Sequence, residues 1–160
     1  MHTVPPLRQR LLPLVAVGLA VGLARYVAEF VAPGQAMYVG IYYVMPIAFL
    51  VVGLRDGWGP IRWPALLGTM ALLCAIVWGV SNTLAYTTGQ FLGWQHGRFH
   101  NGGPDDPTNR AAPIAATALG KIGLGVMQGV LTSVAGTIWC TLWGTVLIWL
   151  PARLRRAKAA

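Results

Sequence analysis

Long apolar blocks leave this chain very few folds. They run over 11–32, 37–54, 64–91 and 113–150, and about 18 to 20 helical residues at 1.5 Å each are enough to cross a hydrocarbon layer of ~30 Å. Every block reaches that length. Composition argues against a soluble core, because 56% of the 160 residues are hydrophobic and only 10% charged, where soluble domains carry roughly a quarter charged. The blocks also lack the period-two alternation that a membrane barrel requires. What remains is an all-α polytopic membrane helix bundle, a single integral membrane domain over residues 1–160 whose first partner is the lipid bilayer.

The formal charge of +8 raises nucleic acid as a partner, but the basic residues sit at the ends of apolar blocks and form no separate basic domain. They read as topology signals, and no nucleic-acid partner is expected. Arg8 and Arg10, Arg55 and Arg62, and the tail Arg153, Arg155, Arg156 and Lys158 fall on one side if the chain crosses four times. The other side then holds Arg98, Arg110 and Lys121, and the positive-inside rule puts both termini in the cytoplasm. Five crossings, with a break near Gly129 to Gly136, would place the basic tail outside. The expectation is therefore four spans at about 11–32, 37–54, 64–91 and 121–150, N-in and C-in, in a bacterial cytoplasmic membrane.

Between the spans, Pro33-Gly34-Gln35 makes a tight turn and Arg55 to Arg62 a compact polar one. The polar outer loop covers 93–112, and 113–120 is read as an interfacial helix ahead of the last span. A cleavable leader is disfavoured, because Arg25 and Glu29 lie where such a segment is uniformly apolar or small. Pro46 inside the second block removes a hydrogen-bond donor, so a neighbour must satisfy the freed carbonyl. Trp58, Trp63, Trp94 and Trp149 lie at block ends, as interfacial anchors do.

Ionisable residues inside a span are costly and by default face the bundle, paired. Arg25 and Glu29 are four apart and share a helix face with Gly18 and Gly22, within an arc of roughly 60°. The pair is therefore expected to face protein. Tyr38 and Tyr42 open the second span, Asn82 and Tyr86 come late in the third, and Lys121 and Gln128 begin the last. All count out to the same outer leaflet, as the lining of a polar inter-helix site would; a hydrogen-bond network that only locks the bundle has the same distribution.

A second pattern runs along the last block. Gly125, Gly129, Ser133, Gly136, Cys140 and Gly144 project within about 100°, a small-residue stripe that lets another backbone come close. Its partner is either another segment of this chain, such as the Gly18-x-x-x-Gly22 face, or a second copy. Cys74 and Cys140 lie inside apolar blocks, support no disulfide framework or four-ligand zinc site, and fall at a common depth where they can touch.

His96 and His100 are the metal candidates, being four apart with Asp105 and Asp106 following. Gly97, Asn101 and Gly102 oppose a rigid helix there, so two solvated loop histidines are the simpler reading and no metal site is assigned. No histidine lies inside a block to hold haem, no phosphate-binding loop or dinucleotide fingerprint is present, and no nucleophile has an activating base at membrane depth. No cofactor is implied and catalysis is unsupported.

Gly22-Leu23-Ala24-Arg25-Tyr26 resembles the glycine-arginine-aromatic stretch of small four-helix fluoride channels. The resemblance covers those few residues; the phenylalanine pattern of that family is absent and the outer polar loop is foreign to it, so no family is assigned. Two functions follow from the residues themselves. One is a small membrane protein that binds or moves a small solute or ion at the outer-leaflet site, and the other is a non-catalytic accessory subunit whose stripe packs in a homo-oligomer or a larger complex.

Overall fold

A computed structural model describes residues 6–36, 38–55, 58–59, 61–93 and 112–159, most of them helical, with no strand among the described residues. Four helices make the bundle: α1 (Leu7–Val31), α2 (Ile41–Leu54), α3 (Trp63–Leu92) and α4 (Ala118–Lys158). By length and composition α1, α3 and α4 can each cross a membrane. The fourth, α2, has 14 residues, about 21 Å of helix. It starts at Ile41 rather than near Met37 because Gly40 is extended, at φ −139° and ψ 134°.

Contacts give the directions. Along α3 and α4, Trp63 donates to Thr145 Oγ1 at 3.2 Å, and Gly144, Gly136, Gly129 and Gly125 meet Met70, Trp78, Thr83 and Thr87 in turn, so the two run antiparallel over their whole length. In contrast, Gly18 and Gly22 of α1 lie on Val77 and Ser81, which makes α1 parallel to α3. Tyr42 and Gly53 of α2 meet Trp139 and Arg155 of α4, so α2 runs with α4. Directions alternate, and the start of α1 and the end of α4 lie at one end of the bundle, here called proximal.

The central helix is α3, with 39% of its apolar window buried against 17% for α1 and 22% for α4. Met45, Phe49, Leu66, Met70, Leu73 and Val77 form the fully buried centre, while Leu23, Ile47, Leu84, Val130 and Ile138 are exposed on the outside. Lipid is as apolar as leucine, so such a bundle is held by close packing rather than by expulsion of water. Glycine supplies the closeness. A Cβ on Gly129 would run into Thr83 Oγ1, one on Gly125 into Thr87 Oγ1, and one on Gly53 into the Leu147 carbonyl of α4. The stripe on α4 is thus occupied by α3 of the same chain, and Cys140 meets Cys74 across that contact.

The carbonyl freed by Pro46 belongs to Tyr42, four residues earlier, and it accepts from Trp139 Nε1 at 3.1 Å. The indole also packs edge-on to the Tyr42 ring, with centroids 6.2 Å apart. Trp139→Phe keeps an aromatic ring, though a smaller one, and removes the donor. Thermal unfolding in detergent should show a loss of about 1–2 kcal/mol, the cost of an unsatisfied buried carbonyl; no loss would mean that water or another donor serves Tyr42.

Other expectations need adjusting. Before α4 there is a single helical turn, Ala112–Ala115, and α4 then begins at Ala118 rather than Lys121, its first turn capped by Thr117 Oγ1 accepting from Gly120 N–H at 3.0 Å. The helix passes through Gly129 and Gly136 unbroken, against a fifth segment starting there. Trp58 is no exposed anchor; it is 2% exposed and belongs to the core. Nearly all of the polar loop, with His96, His100 and Trp94, lies outside the described residues.

Candidate functional site

Away from the chain ends, α1, α2 and α3 diverge around a cavity of about 40 Å³ bordered by Gly22, Arg25, Tyr42, Trp78, Ser81 and Asn82. A buried water needs roughly 10–15 Å³ on this measure, so the space suits a few waters or one small solute. Its proximal side is closed by Tyr42 against Trp78, with ring centroids 5.4 Å apart, above the buried Met45, Phe49 and Val77.

Arg25 and Glu29 are turned into the bundle, with side chains 14% and 4% exposed. The helical i, i+4 spacing brings Arg25 Nη2 to 3.2 Å from Glu29 Oε1. Nη1 of the same guanidinium donates to the Val39 carbonyl at 3.1 Å. Val39 lies in the short non-helical stretch before Gly40, where its N–H donates to the Ala36 carbonyl at 3.1 Å and its own carbonyl accepts from Arg25. Irregular backbone at membrane depth persists only where protein or a cavity serves it, and Arg25 provides that service while its charge is balanced by Glu29.

Asn82 is 2% exposed and its Nδ2 donates to the Trp78 carbonyl at 2.8 Å. A carbonyl accepts only, so this bond identifies the amide nitrogen and leaves Oδ1 as the other end. Oδ1 is buried with no hydrogen-bond partner. Trp78 lies in the π-helical turn Ala75–Val80 of α3. Such turns interrupt the regular ladder and recur at functional sites.

Of the residues selected from sequence, Arg25, Tyr42 and Asn82 border the cavity, Glu29 joins through Arg25, and Gly22 makes room for Ser81. Tyr38 is 74% exposed and stands apart. Tyr86 is buried with Ala85 and Tyr26. Lys121 sits over the Phe91 ring, 5.2 Å from its centroid, and Gln128 is half-buried; both are on α4, which contributes nothing to the cavity lining. Among the described residues no group of three metal-ligating side chains occurs. Trp78 and Gly40, which also border the cavity, were not selected from sequence. Comparison with protein-family models, with curated proteins and with solved structures finds no match to this chain.

Proposed function

We propose that this chain is a four-span membrane protein, N-in and C-in, that binds or moves a small solute or ion at a polar site between α1, α2 and α3 near the outer face. One observation carries the reading: a buried acceptor, Asn82 Oδ1, is left without a partner beside a cavity that also borders a charge-neutralised arginine. Leaving that acceptor bare costs about 1–3 kcal/mol, which a donor on a bound solute would offset. The orientation draws on the eight basic residues at the proximal end, and the location on the apolar exterior. In this arrangement α2 is the short crossing, and a bacterial cytoplasmic membrane is the setting.

At the site, Asn82 Oδ1 would accept from a donor on the solute while the Ser81 hydroxyl offers a bond of either sense. Arg25 would bind an anionic group, and Glu29 would hold or exchange a proton. The alternative, an accessory subunit with a structural polar cluster, loses one of its supports, because the small-residue stripe lies against α3. Proteoliposomes carrying the purified chain, offered ammonium, potassium, chloride and formate in turn, test the proposal. At least one should cross or bind above the protein-free background, and Asn82→Leu should reduce that signal about tenfold, the loss of one hydrogen bond to the solute. No signal for any of the four, or an unchanged signal in Asn82→Leu, overturns it.

A further inference from the structure

At the proximal end, α3 and α4 open into a groove of about 500 Å³ bordered by Arg62, Trp63, Trp149, Arg153 and Arg156. Its volume is within the ~300–1,000 Å³ of small-molecule sites. Three arginines line it with no carboxylate near them among the described residues, where the one acidic side chain, Glu29, is at the opposite end. Asp56, in the 55–62 turn, lies outside the described residues. Like charges gathered in one groove repel unless an anion joins them.

The groove is not built for a solute arriving from water alone. Trp63 is 42% exposed, and its N–H is committed to Thr145 Oγ1, which sets the indole along the mouth. Arg153 is stacked over Trp149, its guanidinium carbon 5.2 Å from the ring centroid, so that cation is held in place. One helical turn towards the bundle centre, Leu67 of α3 and Val146 of α4 are exposed. A ligand lying across this edge meets cations, then indoles, then aliphatic side chains. That order matches phosphate, glycerol and acyl chain.

We infer that the groove between the proximal ends of α3 and α4 binds the headgroup of an anionic phospholipid, with Arg62, Arg153 and Arg156 on the phosphate and the acyl chains along Leu67 and Val146. Bidentate arginine contacts suit a phosphodiester, and Trp63 and Trp149 mark the depth of the interface. The neighbouring Arg155 is used differently, donating to the Gly53 carbonyl at 3.2 Å and tying the end of α4 to α2. The site is separate from the polar cavity at the other end and stands whether or not that cavity handles a solute.

The experiment ejects the protein in a native mass spectrometer from nanodiscs of equal phosphatidylglycerol and phosphatidylcholine, and counts the lipids that stay bound. The wild type should retain phosphatidylglycerol selectively. Arg62→Gln/Arg153→Gln/Arg156→Gln should retain at least about tenfold less, since the charge-assisted arginine bonds to the phosphate are lost. Arg8→Gln/Lys158→Gln removes charge from the same end outside the groove and should behave as wild type. Equal loss in that control means diffuse attraction and overturns the site, as does equal retention of phosphatidylcholine. Displacement of the bound lipid by soluble glycerol phosphate would assign the groove to a free phosphate compound and overturn the lipid. If the triple variant does not fold, Arg156→Gln alone, at an exposed position, should lower retention about fivefold, and unchanged retention counts against the groove.

Discussion

Gly129→Leu is expected to take the bundle apart rather than release a partner protein. The new side chain would start from a Cβ already in collision with Thr83 Oγ1 and with the Gly79 carbonyl of α3. A backbone carbonyl cannot swing away as a long side chain can. Overpacking in a deformable core costs about 1–3 kcal/mol, and here the obstacle is helix backbone, so a loss of about 3 kcal/mol or more is expected. Thermal unfolding in detergent measures it. Gly123→Leu is the control, because nothing lies within 4 Å of a Cβ at that position on the same helix. It should unfold with the wild type. If Gly129→Leu is as stable as Gly123→Leu, α4 does not lie on α3 as described, and the stripe is again available to a second chain.

This contrast shows what a single sequence can and cannot carry. Helix periodicity places Gly125, Gly129, Gly136 and Gly144 on one face, and it says that something comes close. It does not say what, because azimuth along one helix holds no information about the neighbour. The answer lay in a complementary run on α3, Gly79, Thr83 and Thr87, whose small groups fit the same spacing. Gly53 was invisible for a related reason, being a lone glycine whose need for space comes from the Leu147 carbonyl.

Depth was easier to read than direction. Counting from the block ends brought Arg25, Tyr42 and Asn82 to one level, and they border one cavity. The same count included Tyr38, Lys121 and Gln128, whose azimuths take them elsewhere. Local chemistry misled once more at Met37, where hydrophobicity suggested helix although Gly40 is extended and the helix begins only at Ile41. Arg25 compensates for that break through Val39, a role no spacing rule reveals.

The pairing of Arg25 with Glu29 separates a structural role from a functional one. Arg25→Leu strands a carboxylate that is 4% exposed, and breaking a buried pair from one side costs roughly 3–5 kcal/mol. A large fall in melting temperature is therefore expected, and lost activity in that variant would be uninformative by itself. Arg25→Leu/Glu29→Leu removes both charges. Its stability should return to within about 1 kcal/mol of wild type, the residue being the Val39 carbonyl that has lost its donor. Solute signal in proteoliposomes is the deciding measurement on this refolded background. If the pair serves the site, the double variant stays inactive although it is stable. If the double variant regains the wild-type signal, the two charges only neutralise each other, and the cavity must work through Asn82 and Ser81 alone.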